Sequence, residues 1–319
     1  MSSIIITGCA GFIGSNLAEK LVSLGHEVLG VDNFDPFYPR EIKEMNLAGL
    51  KTSKHFRFIE ADITMPDFLG NITAPADCVV HLASKAGVRP SIENAESYIR
   101  TIVIGTTNVL EWMRKTGSKK MIYASSSSVY GNNKKVPFSE TDNVDRPISP
   151  YAASKKACEL LNYTYHHLYD LDIVNLRFFT VYGPRQRPDL AIRKFVELIR
   201  QDKPITLFGD GQTGRDYTYI DDIVDGICGA INYVHINRGV YEIFNLGNSN
   251  PVKLIELVEA LYDLLGKRPQ IEFAPMQSGD VDFTFADISK ANKLLGYSPK
   301  TSLSSGLQKF IDWSASKSG

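Results

Sequence analysis

A tyrosine followed four residues later by a lysine occurs twice in this chain, at Tyr130/Lys134 and at Tyr151/Lys155. On a helix such a pair shares one face. An ammonium beside a phenol favours the phenolate and lowers a pKa that is ~10 in free tyrosine. The result is a base that can take an alcohol proton while the alcohol carbon loses a hydride. Context separates the two pairs. Gly131-Asn132-Asn133 after Tyr130 reads as a turn, so Lys134 need not share its face. Tyr151 follows Ser149-Pro150, a helix-start signal, and Ala152, Ala153, Lys156 and Ala157 are good helix formers. We take Tyr151 and Lys155 as the catalytic pair; the bland alternative is a solvated helix pair. Ser125–Ser128 follow a strand-like run, Met121–Ala124. A hydroxyl at such a strand end can bond a reacting oxygen, and turn chemistry accounts for at least two of the four.

A base of this kind needs a hydride acceptor beside it. Thr7-Gly8-Cys9-Ala10-Gly11-Phe12-Ile13-Gly14 joins a strand-like run to a helix-like one. Gly8 permits a tight turn, Gly11 lets the backbone approach a pyrophosphate, and Gly14 lets the helix pack close to the strand. The helix N-terminus then presents N–H groups to the phosphates. Asp32 ends the next strand, where a carboxylate accepts hydrogen bonds from ribose hydroxyls and repels a 2′-phosphate. No Arg or Lys follows it before Arg40, so the expected cofactor is NAD rather than NADP. Asp62 ends another strand-like run and reads either as an adenine-side contact or as a helix N-cap. Asp221-Asp222 invites a metal reading, but a helix N-cap accounts for it better, and no metal site is expected.

The elements that must hold these residues alternate from the start. Strands are predicted at Ile4–Thr7, Glu27–Val31, Phe56–Glu60, Cys78–Leu82, Met121–Ala124 and Ile173–Phe178. Helices are predicted at Ile13–Leu24, Ser97–Lys115 and Tyr151–Tyr169. Continuous apolar strands separated by helices imply an α/β fold, a doubly wound parallel sheet of the Rossmann type. After Phe178 the pattern breaks at Pro184, Pro188 and Pro204. Asp222–Val234 and Tyr241–Leu246 look like a return to the sheet, and Leu254–Leu265, Ile288–Leu295 and Leu303–Trp313 are candidate helices of a smaller lobe. The expected division is a dinucleotide-binding domain over 1–178, rejoined around 220–248, and a substrate lobe over 179–319.

Composition narrows the partners. Lys plus Arg number 35 against 36 Asp plus Glu, so no general positive field draws in nucleic acid or an anionic membrane. An anionic substrate must meet local arginines instead. The four cysteines, at 9, 78, 158 and 228, form no CxxC pair, which fits a reducing compartment and neither disulfides nor zinc. The start of the chain carries no basic residue before Ile4 and does not read as a signal peptide. With no apolar run near the ~20 residues of a membrane span, a cytoplasmic protein is expected.

With these residues in hand, the chain resembles the extended short-chain dehydrogenase/reductase family over nearly its whole length, and within it the UDP-glucuronate 4-epimerases. The likeness is carried by Asp32-Asn33-Phe34, His81-Leu82-Ala83 with Ala86-Gly87-Val88-Arg89, YASSSSVYG at 123–131, VPFSE at 136–140, RFFTVYGP at 177–184, RPDLA at 187–191, RDYTYIDDI at 215–223 and Gly279-Asp280-Val281. The resemblance implies a catalytic hydroxyl at Ser126 beside Tyr151 and Lys155. It implies cofactor contacts from Gly8, Gly11, Phe12, Ile13, Gly14, Asp32, Asn33, Asp62, Ile63, Leu82 and Ala83. It implies substrate contacts from Arg89, Ser126, Ser127, Thr180, Arg187, Arg215 and Asp280, with Arg215 on the diphosphate, Asp280 near the uridine ribose, and Arg187 with Thr180 on a sugar carboxylate. Related dehydratases and decarboxylases carry an acid after the catalytic hydroxyl; here that stretch is all serine, which favours epimerisation at C4. Three positions depart from related patterns: Ile102 replaces a usual Asn, Lys85 a usual Gln, and Gln277 the Arg of galactose epimerases. The expected function is conversion of UDP-glucuronate to UDP-galacturonate through a 4-keto intermediate. UDP-glucose or another UDP-sugar is the alternative substrate, and decarboxylation, simple oxidoreduction or a non-catalytic NAD-binding role are the competing classes. A homodimer through helices 97–115 and 151–169 is the default assembly.

Overall fold

A computed structural model describes residues 1–70, 72–275 and 283–316. In chain order its strands are β1 (Ser3–Thr7), β2 (Glu27–Asp32), β3 (Phe56–Glu60), β4 (Cys78–His81), β5 (Lys120–Ser126), β6 (Asp172–Phe178), β7 (Thr180–Tyr182), β8 (Ile205–Phe208), β9 (Gly214–Tyr219), β10 (Tyr241–Leu246), β11 (Pro251–Lys253) and β12 (Ile271–Ala274). Its helices are α1 (Phe12–Ser23), α2 (Arg40–Leu47), α3 (Val88–Glu93), α4 (Ala95–Ile99), α5 (Gly105–Thr116), α6 (Pro150–Tyr169), α7 (Ala191–Arg200), α8 (Ile220–Ile236), α9 (Leu254–Leu265), α10 (Ser289–Leu295) and α11 (Leu303–Ala315). Seven strands pair in parallel in the order β10-β6-β5-β4-β1-β2-β3.

Both faces of this sheet are covered, which is why its strands read as unbroken apolar runs. Ile4, Ile6, Cys78, Val80 and Ile122 point to one core with Leu17 and Leu21 of α1 and Ile223 and Ile227 of α8. The intervening Ile5, Val79, Met121 and Tyr123 point to the other core with Val109, Leu110 and Met113 of α5 and Cys158 of α6. Each fully buried aliphatic side chain stabilises the fold by about 1.5–3 kcal/mol. The expected return to the sheet occurs: β10 adds an edge beside β6, after α8 has crossed the face that α1 covers. Two further sheets, β11-β9-β7 and β12-β8, lie outside the main one.

Two local expectations change. The helix expected over 97–115 is broken by a wider π turn at Arg100–Ile104, before α5 begins at Gly105. Ile102 is buried there, and its carbonyl accepts from both Thr106 Oγ1 and Cys158 Sγ. Asp222 does not cap α8, because Tyr219 holds the cap position. Its carboxylate instead accepts from the backbone N–H groups of Lys300 (3.0 Å) and Thr301 (3.1 Å), fastening the approach to α11. No helix among the described residues is long and apolar enough to cross a membrane.

Strand order reverses direction at β1, which has β2 on one side and β4 on the other. Loops leaving such a point diverge and leave a crevice at the C-terminal ends of the strands. A buried relay fixes that point: Thr7 Oγ1 lies 2.6 Å from His81 Nδ1, and His81 Nε2 lies 3.1 Å from Thr106 Oγ1. Burial, aided by the Lys155 ammonium, lowers the His81 pKa from 6.5 to about 3. The unfolded chain therefore binds this proton near pH 6.5 and the folded chain only near pH 3. Between those values the unfolded state holds more protons, so stability falls as pH falls, by up to about 1.4 kcal/mol per unit from this group. Urea unfolding at pH 7, 6 and 5 should show that loss, and His81→Asn should show a flatter dependence.

Candidate functional site

The crevice starts from the turn between β1 and α1. Gly8 has φ +73°, and a Cβ there would lie 2.7 Å from the Ala83 nitrogen. A Cβ on Gly14 would run into the Gly8 carbonyl, so only glycine lets α1 sit against the turn. Gly11 is the N-cap residue, and no side chain caps α1. The first turn of α1 thus keeps its N–H groups for an anion, as a pyrophosphate requires. Asp32, at the end of β2, is held by N–H donations from Ala10 (3.1 Å) and Phe34 (2.9 Å). Burial raises its pKa, opposed by the nearby Lys43 ammonium. Asp62 caps no helix: it accepts from Thr64 N (2.8 Å) and Asn33 Nδ2 (3.2 Å), closing a turn. One cleft is lined by Gly8, Gly11, Phe12, Ile13, Gly14, Asp32, Asn33, Asp62, Ile63, Leu82 and Ala83, and it continues to Ser125, Tyr151, Lys155 and Arg187.

At the far end of the cleft α6 meets the end of β5. Ser149 caps α6, accepting from Ala152 N at 3.1 Å, and Pro150 opens the helix, so Tyr151 and Lys155 share a face as the sequence predicts. The electrostatics differ from that expectation. Burial raises the Tyr151 pKa, and the groups that pull it back are the nearby Ser126 hydroxyl and the Arg187 charge. Lys155 reaches past the phenol to the carbonyl of Ala124, 2.6 Å from its Nζ. Its pKa falls to about 8 on burial, so the ammonium persists at neutral pH. Ser126 Oγ accepts from Ser128 N (3.2 Å) and from Ser128 Oγ (2.9 Å), which leaves its own proton to donate. Tyr130, the rejected tyrosine, is buried and donates to Asn245 Oδ1 at 2.7 Å.

Behind this pair lies a network the sequence reading missed. Arg177 of β6 and Glu159 of α6 are each 1% exposed and bind through two bonds, Nε to Oε1 at 2.9 Å and Nη2 to Oε2 at 2.8 Å. Ser125 Oγ donates to the same carboxylate at 2.7 Å, and Arg177 Nη1 to Tyr130 at 3.0 Å. Tyr151, Lys155 and Glu159 recur at spacing four, a signal the sequence did carry.

Two tight turns carry Arg187 into the cleft. Gln186 N donates to Gly183 O and Leu190 N to Arg187 O, with Pro184 and Pro188 in the second positions. Arg185 holds φ +69°, unusual for a side-chain-bearing residue, and pairs with Glu19 of α1. Asn16 of α1 donates to Pro184 O at 3.3 Å. Arg187 lies over the Phe37 ring, 5.3 Å from its centroid, and both its Nε and Nη2 donate to Asp189. Thr180 opens β7 opposite Tyr217 of β9, so pleating puts it on the face that also carries Arg215. Arg215 donates to the Gly214 carbonyl, Arg89 lies over Phe208 of β8, and Ser127 sits in the turn after β5. Asp280 and Gln277 lie outside the described residues.

A family model described as GDP-mannose 4,6 dehydratase matches residues 5–310. The chain is 45% identical over 317 residues to a UDP-glucuronate 4-epimerase of Thermodesulfobacterium geofontis, covering 98% of this chain and 96% of that one. Its fold is similar to the crystal structure of UDP-glucuronic acid 4-epimerase from Bacillus cereus in complex with UDP-glucuronic acid and NAD (TM-score 0.92, 36% identity, 99% of both chains). It is also similar to UDP-glucose 4-epimerase with UDP-glucose from Thermotoga maritima (TM-score 0.90, 32% identity, 99% of this chain and 100% of that one).

The chain belongs to the extended short-chain dehydrogenase/reductase family.

The end of β5, which carries Ser126, is held in register with α6, which carries Tyr151. Here the Arg177–Glu159 pair spans β6 and α6, and Ser125 joins β5 to it. Removing one partner of a buried pair leaves an uncompensated charge, at about 3–5 kcal/mol. Glu159→Ala should lose stability of that order in chemical denaturation, and Glu159→Gln, which keeps hydrogen-bond capacity, should lose less.

Proposed function

We infer that this protein is an NAD-dependent 4-epimerase of UDP-glucuronate. The observation that carries this reading is one cleft shared by a dinucleotide turn, the pair Tyr151/Lys155 and the arginine Arg187. A relative named UDP-glucuronate 4-epimerase, matched over 96% of its length, and a neighbour holding UDP-glucuronic acid and NAD support it. The uncapped α1 and the Gly14 contact suit the NAD pyrophosphate, Asp32 and Asn33 the ribose side, and Asp62, Ile63, Leu82 and Ala83 the walls. When bound there, NAD would supply the hydride acceptor and donor for C4. Arg187 and Phe37 come from loops after β6–β7 and β2, strands four positions apart in the sheet, about 19 Å at the usual spacing. Their contact bridges the cleft, which favours a cofactor kept through many cycles.

Tyr151 takes the C4 hydroxyl proton as the carbon is oxidised and gives it back on reduction. Ser126, with its acceptor side filled by Ser128, donates to the reacting oxygen. Lys155 holds a positive charge behind the phenol and anchors to Ala124. A cofactor held in this cleft would offer the hydride from one side, so inversion requires the 4-keto sugar to turn over while the UDP stays held. Arg215 is assigned to the diphosphate, Thr180 and Ser127 to the sugar, Arg89 to closing the substrate side, and Asp280 to the uridine ribose. Residues 179–319, apart from the return through 220–248, are assigned as the substrate lobe. The serine run offers no carboxylic acid beside Ser126, so elimination of water lacks a proton carrier. Oxidising C4 of a glucuronate makes a β-keto acid, and a guanidinium holding its carboxylate through two parallel bonds keeps that group from departing as carbon dioxide. Leu160, Tyr163 and Leu168 form an exposed apolar stripe on α6 near the exposed Ile99 and Ile104, which supports a homodimer through these helices. Four free cysteines fit a reducing cytoplasm.

Tyr151→Phe should lose about 10²–10⁴-fold in turnover while UDP still binds. Near-normal turnover would remove Tyr151 from the chemistry. Arg187→Met should sharply reduce UDP-glucuronate turnover, divert part of it to carbon dioxide, and affect any UDP-glucose reaction much less. Equal losses on both sugars would leave Arg187 structural and reopen UDP-glucose as the substrate.

A further inference from the structure

A guanidinium has two edges that can grip a carboxylate through paired N–H groups, Nε with Nη2 and Nη1 with Nη2. In Arg187 the first edge is taken: Nε lies 2.9 Å from Asp189 Oδ1 and Nη2 lies 2.8 Å from Asp189 Oδ2. One face of the group is covered by Phe37. The side chain is 16% exposed while that of Asp189 is 38% exposed, so the acid stands on the solvent side and the base on the cleft side. The local sequence builds this arrangement. Pro188 presets the second position of the Arg187–Leu190 turn, and the turn folds Asp189 back beside the arginine two residues before it.

We propose that Asp189 is a positioning residue for sugar recognition: it holds the Nε–Nη2 edge of Arg187 from the solvent side and leaves the Nη1–Nη2 edge for the carboxylate of a uronic acid. The proposal rests on the reading of Arg187 as the carboxylate-binding group. Two consequences follow from chemistry. The Arg187–Asp189 pair is close to neutral as a unit, so it selects a ligand by the geometry of two parallel bonds rather than by a general positive field. An arginine already fixed by its neighbour also loses little freedom when the sugar binds. Without Asp189 the side chain must be ordered by the ligand itself, and the carboxylate of the 4-keto intermediate is held less firmly.

Asp189 is exposed, so its variants should fold. Asp189→Ala and Asp189→Asn are compared with the unaltered enzyme for the KM of UDP-glucuronate, carbon dioxide release and the affinity of UDP alone. The ordering cost of one long side chain predicts a KM raised by about fivefold to tenfold in Asp189→Ala. Asp189→Asn, which keeps one acceptor oxygen, should fall between. Carbon dioxide should appear in Asp189→Ala, and UDP affinity should stay within about twofold. A KM that is unchanged or lower would overturn the proposal, the lower value marking Asp189 as a competitor of the sugar. A parallel loss of UDP affinity would also overturn it, by reducing Asp189 to loop support. Arg187→Met separates the two levels. If its losses are confined to UDP-glucuronate while Asp189→Ala changes nothing, only the role of Asp189 fails. If its losses are equal on UDP-glucuronate and UDP-glucose, the reading of Arg187 fails and this one with it.

Discussion

Arg177 carries a permanent charge into a site with 1% exposure, and the two-bond grip of Glu159 is what makes that burial tolerable. Because the partners belong to β6 and α6, the pair fixes how far the helix stands from the sheet. Ser125 adds β5 to the same carboxylate, and Tyr130 extends the network to Asn245 at the end of β10. Tyr151 and Lys155 lie two turns and one turn before Glu159 on the helix face so fixed, and Ser126 lies one residue beyond Ser125. Tyr151 and Ser126 can therefore stay half-buried, since the stiffness lies behind them.

At the other end of the crevice the constraint is steric. Gly14 lets α1 touch the Gly8 carbonyl, and the helix then directs an uncapped N-terminus at the cleft. The loop carrying Arg187 is fastened to that same helix through Asn16 and Glu19. A single helix thus fixes the turn that suits a pyrophosphate and the loop that brings Arg187 to the cleft. This economy explains the left-handed backbone tolerated at Arg185, where strain of this kind costs about 1–3 kcal/mol unless neighbouring bonds hold it.

Much of this was legible in the sequence where the signal is local. The glycine spacing at 8, 11 and 14, the acid at 32 and the capped helix beginning at Pro150 need only nearest neighbours to be read. The sheet strands were legible because burial on both faces leaves continuous apolar runs. The short strands β7, β8, β9, β11 and β12 were not, since three to six residues show no decisive periodicity. The π turn at Arg100–Ile104 sits inside a helical pattern and has no compositional mark. Arg177 stood as a charge within an apolar run, which called for a buried partner, but nothing local named Glu159. The contact between Arg187 and Phe37 depends on strand order alone. Lys43 escaped notice for the same reason: its charge bears on Asp32 only after α2 folds back over β2.

The most direct test of the account follows the hydrogen on C4. UDP-glucuronate deuterated at C4 is incubated with the purified enzyme in ordinary water, and the product is read by NMR and mass. If oxidation and reduction occur at one carbon with sugar rotation between them, the product is inverted at C4 and keeps its deuterium, and no carbon dioxide accumulates. Inversion with deuterium lost to solvent would mean deprotonation chemistry, and carbon dioxide with no inverted product would mean decarboxylation; either would contradict the account.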